Sequence, residues 1–273
     1  MKFFIVVNNS KKSAIVLYDD VKSFLSNSKT QGVINQVVEN VDDCDLIITL
    51  GGDGTILDAW GKYRDKGKAF FGINCGHLGY MTGATVDNWK EKLTEIINLN
   101  YKIDKRLVVC SNIRDKENRN IYYNEAMNDI VLCKKSTGVI KFDIYVDNKY
   151  LTSMVADGLI CSSPNGSTGY AISVGGGFID PNSSLIQLIA IAPHSLMNRS
   201  IILNKNSFIE VVLRKDSEPA VLLFDGVDSG IEINQSNKAV MGISMYNTMN
   251  IVSLNDTDNF LEKISKAFGN FVE

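Results

Sequence analysis

The chain is short of the features that mark several large protein classes. Its five cysteines (Cys44, Cys75, Cys110, Cys133 and Cys161) are odd in number and never spaced as Cys-x-x-Cys. A disulfide framework or zinc site therefore lacks support, and the thiols suit small buried positions in a reducing compartment. Histidine occurs only at His77 and His194. A lone loop histidine is more often a structural hydrogen-bonding residue than a catalyst, so both stay outside the expected active site. There is no dense run of Lys and Arg, and the net charge is −3 with a pI near 5.5. This argues against nucleic-acid partners and against adhesion to acidic membranes. The longest apolar run, near 185–192, is too short to span a bilayer. The opening Met-Lys-Phe-Phe-Ile-Val-Val reads as a strand without a signal-peptide cleavage region, so a cytoplasmic protein is expected. No repeat and no low-complexity linker interrupts the chain.

What remains is enough apolar sequence, 45% of 273 residues, for one large domain or two ordinary ones. Residues 1 to about 100 alternate strand and helix. Strands are expected at 3–7, 46–50 and 69–73, and helices around Val21, Phe24 and Leu25 and over 89–99, where Leu93, Ile96 and Ile97 share a face. Such alternation predicts a doubly wound parallel sheet, with ligands at the carboxyl ends of its strands. From Tyr101 the texture changes to short runs rich in Val, Ile, Tyr and Phe at 106–113, 129–133, 141–146, 208–213, 221–224 and 241–245. That spacing predicts an antiparallel β-sandwich over 101–255. The tail, 256–273, has Phe260, Leu261, Ile264, Ala267 and Phe268 at helical spacing behind Asn255-Asp256-Thr257-Asp258. It is expected to return to the first domain, giving an α/β domain (1–100 plus 256–273) and an all-β domain.

The densest chemistry lies in 45–57. A buried strand runs into Gly51-Gly52-Asp53-Gly54-Thr55, then into helical spacing at Ile56, Leu57, Trp60 and Tyr63. Glycines let the backbone approach a bulky anion, and the positive end of the helix adds to the attraction. A carboxylate on that rigid lip can take a hydroxyl proton or hold magnesium. A plain tight turn would use the same residues, but the order strand, glycine cluster, helix favours a phosphate site. The Gly-x-Gly-x-x-Gly spacing is absent, and no Lys-Ser or Lys-Thr follows as in a Walker A loop.

Three further stretches carry polar groups. Residues 157–170 hold Asp157, Asn165, Thr168, Gly169 and Tyr170, followed by Ser173 and the triplet Gly175-Gly176-Gly177. Hydroxyls that donate and accept suit the polar edge of an adenine or a carboxamide, although a turn with a helix cap has the same composition. Asn128-Asp129 can clasp two ribose hydroxyls; read alone, an ordinary β-turn is the better account of that pair. Asn74 begins a second glycine turn, Gly76 to Gly79.

Taken in order, these stretches resemble one family. Leu-Gly-Gly-Asp-Gly-Thr resembles the signature of the kinase superfamily that contains NAD kinases, diacylglycerol and sphingosine kinases and 6-phosphofructokinases. Asp157-Gly158 with Ser163-Pro164-Asn165-Gly166-Ser167-Thr168-Gly169-Tyr170 is similar to the NAD kinase motif, with Ser163, Asn165 and Gly169 replacing Thr, Thr or Ser, and Ala. Ala126-Met127-Asn128-Asp129 resembles its Ala-Leu-Asn-Glu. Residues 72–80 and 191–199 resemble two more motifs, Tyr80, Ala192 and Ser200 being departures, and Asp58 stands where the family often has a cation. The match extends to Asp225-Gly226.

The resemblance implies transfer of the ATP γ-phosphate to the 2′-hydroxyl of the adenosine ribose of NAD, with magnesium or another divalent cation; which residues hold the metal stays open. Asp53 would act on the hydroxyl proton, and Gly51, Gly52, Gly54 and Thr55 would face the phosphates. Asp53, Gly54, Asn74, Asn128, Asp129, Asp157, Asn165, Thr168, Gly169, Tyr170, Ser173 and Ala192 would line the NAD pocket. A homo-oligomer is also implied. A lipid or sugar kinase of the same superfamily and a catalytically silent NAD(P) sensor remain as alternatives.

Overall fold

The computed structural model describes residues 1–76, 79–195, 199–254 and 260–269. It divides into one unit of residues 1–105 and 249–273 and a second of residues 106–248.

The first unit is built on a sheet ordered Gln36–Val37, Lys2–Val7, Leu46–Gly51, Ala69–Asn74, Met249–Ser253, Lys102–Arg106. The pairings from the first of these strands to Met249–Ser253 are all parallel. Leu46–Gly51 is buried along its whole length, which explains a sequence apolar but for Thr49: a central parallel strand is covered on both faces. Leu46, Ile48 and Leu50 pack with Ala14, Leu17, Val21 and Leu25 of the helix Lys12–Ser26, and with Trp89, Leu93 and Ile96 of the helix Trp89–Ile97. The opposite face receives the helix Asp53–Tyr63. Its Ile56 lies so close over Gly72 that a methyl there would meet Cδ1 at 2.5 Å. Helices on both faces make the sheet doubly wound.

Register places the two glycine turns side by side. Gly51 is opposite Asn74 at the carboxyl ends of their strands, and the Cys75 N–H donates to the Gly51 carbonyl at 2.6 Å.

The second unit is a sandwich of two six-stranded antiparallel sheets. One runs Asn120–Ala126, Val109–Asp115, Asn237–Ile243, Ile209–Leu213, Ile140–Val146, Lys149–Ala156. The other runs Ile201–Asn204, Leu185–Ile191, Gly158–Ser162, Asp129–Lys134, Ala220–Phe224, Val227–Ile233. Alternate residues of Ile209–Leu213 and Ala220–Phe224 are buried and join one core with Phe142, Leu132 and Leu159, as the strand period of two requires. Two-residue turns at Asp147-Asn148 and Asp225-Gly226 carry the positive φ values that tight hairpins need. Gly158–Ser162 is buried on both faces because Val131, Ile160 and Ile189 also pack against Ala171 on the outer side.

Several expected boundaries move. The run expected at 106–113 is two strands, of which Lys102–Arg106 belongs to the parallel sheet and Val109–Asp115 to the sandwich. The strand expected at 241–245 is Asn237–Ile243, and Met245 is 95% exposed. The helix expected over 89–99 stops at Ile97; Leu99 takes a left-handed φ of 61°, with Leu99 N–H bonded to Ile96 O and Asn100 N–H to Glu95 O. These are the paired bonds of a Schellman end. Met249–Ser253, which the composition groups with the β-rich region, pairs instead with Ala69–Asn74. The expected start of the last helix, 255–258, lies outside the described residues. The helix Phe260–Gly269 is present and Leu261 is exposed on it. Lys263 Nζ donates to the carbonyls of Tyr80 (2.9 Å) and Thr82 (3.2 Å) in the first unit. No described helix is long and apolar enough to cross a membrane.

Candidate active site

In the first unit the site grows from the turn after Leu46–Gly51. Gly52 caps the helix that begins at Asp53. Asp53 Oδ2 accepts the Tyr80 N–H at 2.7 Å and Oδ1 accepts the Met81 N–H at 3.1 Å. A methyl on Gly79 would stand 2.5 Å from Asp53 Oδ1, so the second turn needs glycine to admit the carboxylate. Both oxygens are fixed, yet each keeps a lone pair for a further donor. Asn74, 3% exposed, accepts the Gly76 N–H at 2.9 Å and so shapes the turn from beneath.

Two residues expected to face phosphate are turned inward. The Thr55 hydroxyl is buried and accepts from Gly52 N–H (3.3 Å) and Asn8 Nδ2 (3.1 Å). Gly51 is buried, and a methyl on it would fall 2.0 Å from Thr55 Oγ1. These two lock the turn, and the surface is left to Gly52, Asp53 and Gly54. The N–H groups in the first helical turn, those of Asp53 and Gly54 among them, lack intrahelical partners, which makes this surface a site for anions. Position 58 brings no cation, but the sequence reading passed over Lys11. Its Nζ would lie 3.4 Å from a methyl on Gly52 and 2.9 Å from one on Gly76.

In the second unit three segments converge at one end of the strand Asp129–Lys134. Asp225 takes three backbone N–H groups, those of Met127 (2.7 Å), Asn128 (2.7 Å) and Asp129 (3.2 Å). The loop after Gly158–Ser162 is tied to the same turn. Ser163 Oγ donates to Met127 O at 2.6 Å, Ser163 N–H donates to Asn128 O at 2.8 Å, and a methyl on Gly166 would fall 2.0 Å from Asn128 O. Asn165 Nδ2 donates to Asn128 Oδ1 at 2.8 Å, which leaves the Asn128 amide free to donate outward. Thr168 Oγ1 bonds Asn165 O at 3.3 Å. At Gly169 a methyl would meet Asn128 Nδ2 at 3.6 Å and Asp129 Oδ2 at 3.7 Å, so the residue borders both. Tyr170 and Ser173 stand exposed on the short helix that follows.

Asp129 is 6% exposed. Burial, then the nearby Asp225 charge, pushes its carboxyl up to about 7; a hydrogen bond from the Tyr170 N–H pulls the other way. Asp225, the organiser of this turn, appeared in the sequence only as the end of the family resemblance, with no role attached.

Asp157 and Ala192 are not brought to this cluster. Asp157 precedes Gly158–Ser162, and Ala192 follows the antiparallel partner Leu185–Ile191. They lie at the far end of a five-residue strand, about 17 Å away at the usual rise. Asp157 Oδ1 is paired there with Lys134 Nζ at 2.6 Å, and Ala192 is exposed with a positive φ of 44°. His77 and Leu78 of the second glycine turn, and 196–198 of the loop after Ala192, lie outside the described residues.

Among the described residues no group of three His, Cys, Asp or Glu could hold a metal. A single carboxylate beside an anion site suits magnesium that arrives on a polyphosphate and keeps its phosphate and water ligands.

Residues 30–101 match the model of the ATP-NAD kinase N-terminal domain and residues 127–253 that of the C-terminal domain. An NAD kinase of Pseudomonas entomophila (strain L48) is 35% identical over 203 residues, 74% of this chain and 68% of that protein. One from Fusobacterium nucleatum is 31% identical over 249 residues, 88% of this chain and 90% of its own length. Among solved structures, yeast NADH kinase complexed with NADH superposes with a TM-score of 0.85 at 21% identity, covering 98% of this chain and 87% of that one. An NAD kinase from Archaeoglobus fulgidus in complex with ATP gives 0.74 at 22% identity, covering 98% of both chains. These two establish likeness of fold.

Proposed function

The chain belongs to the NAD kinase family, and from that premise we propose that it transfers the γ-phosphate of ATP to the 2′-hydroxyl of the adenosine ribose of NAD, yielding NADP. The observation that carries this reading is Asp53, held through both carboxylate oxygens by Tyr80 and Met81 N–H at the start of a helix. A ribose hydroxyl is a weak nucleophile at neutral pH, so a fixed acceptor for its proton matters. As the hydroxyl oxygen bonds to the terminal phosphorus, the bond from that phosphorus to the bridging oxygen breaks. ADP leaves with the electron pair, and Asp53 takes the proton. A divalent cation such as magnesium, when bound with the donor, would offset the charge of its phosphates. Gly52 and Gly54 let the backbone approach those phosphates.

Asn128 and Asp129 hold ribose and adenine, with Asn165 orienting the Asn128 amide and Thr168, Gly169, Tyr170 and Ser173 bordering the dinucleotide. Asp157 and Ala192, a strand's length from this turn, would complete the dinucleotide pocket from a second copy if the protein is a homo-oligomer, as we propose.

The test is a coupled assay with magnesium, ATP and NAD, read by an NADP-specific dehydrogenase, for wild type and Asp53→Asn. The amide turns one accepting atom into a donor aimed at a peptide N–H, so melting of the variant is measured alongside. NADP formation that collapses in a folded Asp53→Asn protein, with NAD binding retained in calorimetry, is expected. Wild-type turnover in the variant sinks the role of Asp53. NAD binding without any turnover by wild type makes the protein a sensor.

A further inference from the structure

The loop between the strand Lys2–Val7 and the helix Lys12–Ser26 has no part in the reading so far, although it too lies at the carboxyl end of a parallel strand. It is tied to both glycine turns. Asn8 Nδ2 donates to Thr55 Oγ1 at 3.1 Å, while Asn8 Oδ1 accepts the Ser10 N–H (3.0 Å) and hydroxyl (2.6 Å). The Lys11 N–H bonds Asn8 O at 3.1 Å. Farther along, Ser13 Oγ donates to Cys75 O at 2.9 Å. Lys11, between these anchors, is half-buried, with its ammonium beside Gly52 and Gly76. Among the described residues its ammonium makes no hydrogen bond and no ion pair. Asp53, the carboxylate of the same site, is held instead by two peptide N–H groups.

Ordering a lysine side chain costs up to about 2 kcal/mol of rotamer entropy, and nothing in the described protein offsets that here. A positive charge fixed beside a helix N-terminus and two glycine turns is suited to an anion that binds from outside. Its field is already felt by the neighbouring Cys75 thiol, which Lys11 pulls down against the larger upward push of burial.

Resting on the kinase reading above, we propose that Lys11 is a further catalytic residue, whose ammonium binds the phosphate oxygens of the donor and neutralises charge on the departing diphosphate. It supplies the cation that Asp58 does not. The step itself is unchanged: the ribose oxygen bonds to the terminal phosphorus, the phosphorus–bridging oxygen bond breaks toward ADP, and the proton goes to Asp53. Lys11 gains or loses no proton. It acts as a pre-placed charge where negative charge grows, the kind of group whose removal costs about a hundredfold or more in rate.

The experiment compares wild type with Lys11→Met, which keeps most of the stem, Lys11→Arg, which keeps the charge, and Lys12→Ala as a neighbouring-charge control. Initial rates are measured against ATP at saturating NAD. Calorimetry measures binding of inorganic tripolyphosphate and, separately, of NAD. Lys11→Met is expected to lose about a hundredfold in kcat/KM for ATP and to bind tripolyphosphate more weakly, with NAD binding and melting temperature unchanged. Lys11→Arg should recover much of the loss, and Lys12→Ala should match wild type. Equal tripolyphosphate binding by wild type and Lys11→Met overturns the proposal, as does an unchanged kcat/KM. Should Lys11→Met misfold, Lys11→Arg decides: rates and tripolyphosphate binding near wild type support the charge, and their loss in a folded Arg variant overturns it. If wild type makes no NADP, the kinase reading fails, and weaker tripolyphosphate binding by Lys11→Met still supports Lys11 as a phosphate ligand.

Discussion

Asp129 makes the residue scale testable through pH. Burial and the charge of Asp225 hold its carboxyl near 7, whereas in the unfolded chain it titrates near 4. Between those values the folded state binds more protons than the unfolded one, so stability falls as pH rises from about 4 to about 7 and levels off above. Asp129→Asn should remove that slope from denaturant unfolding curves measured across the window. A ribose hydroxyl donating to the charged carboxylate reverses the sign for the ligand: NAD should bind more tightly as pH rises through about 7, by up to roughly tenfold per unit below it. A wild-type NAD affinity that stays flat from about pH 6 to 8 counts against Asp129 as the ribose acceptor. Asp53 was legible in sequence as a candidate through its glycine-rich turn, and Asn128 and Asp129 became legible as candidates only through the family resemblance, since the pair alone reads as a β-turn. Lys11 and Asp225 were not, because their settings come from contacts across the fold. Asp225 meets Asn128 over 97 residues, and Lys11 is placed by Asn8 gripping Thr55. Thr55 misled in the other direction, since its polar side chain faces the interior of the turn.

Among the elements, those that announce themselves are buried on both faces or alternate cleanly. Leu46–Gly51 is apolar up to its glycine but for a buried Thr49, and Ile209–Leu213 buries every second residue. Lys102–Arg106 does neither. Its Lys-Ile-Asp-Lys-Arg sequence is mostly exposed, so its membership of the parallel sheet follows from topology rather than composition. The end of Trp89–Ile97 was hidden for a related reason: Leu99 continues the apolar spacing while its backbone has already turned left-handed. A non-glycine residue in that conformation costs about 1–2 kcal/mol, and Leu99, 42% exposed, recovers little by burial. Leu99→Gly should therefore raise the melting temperature, by an amount corresponding to about 1 kcal/mol. A lower midpoint would mean that the leucine side chain contributes more packing than its exposure suggests.

For the molecule as a whole, the sequence contained both architectures, and their junctions were the weak point. The strand Met249–Ser253 has the apolar, hydrogen-bonding character of its sandwich predecessors, and only pairing with Ala69–Asn74 assigns it to the parallel sheet. Assembly is the property at this scale still to be measured. Asp157 and Ala192 sit a strand's length from the Asn128 turn, and light scattering on the pure protein should report a homo-oligomer. A monomer that forms NADP at full rate would leave those two residues outside the dinucleotide site.

The return of the chain to its first sheet also dictates a schedule. On the ribosome, Ala69–Asn74 emerges long before its partner Met249–Ser253, and all of the second unit is translated in between. Domains normally fold as they appear, amino-terminal first; here the amino-terminal sheet waits for Met249–Ser253 until the whole second unit has been translated. The turn that cradles Asp53 receives its last tether, Lys263 on the Tyr80 and Thr82 carbonyls, later still. A nascent chain can therefore mature its sandwich well before its phosphate site, and a premature stop before Met249 leaves the strand Ala69–Asn74 with an open, aggregation-prone edge.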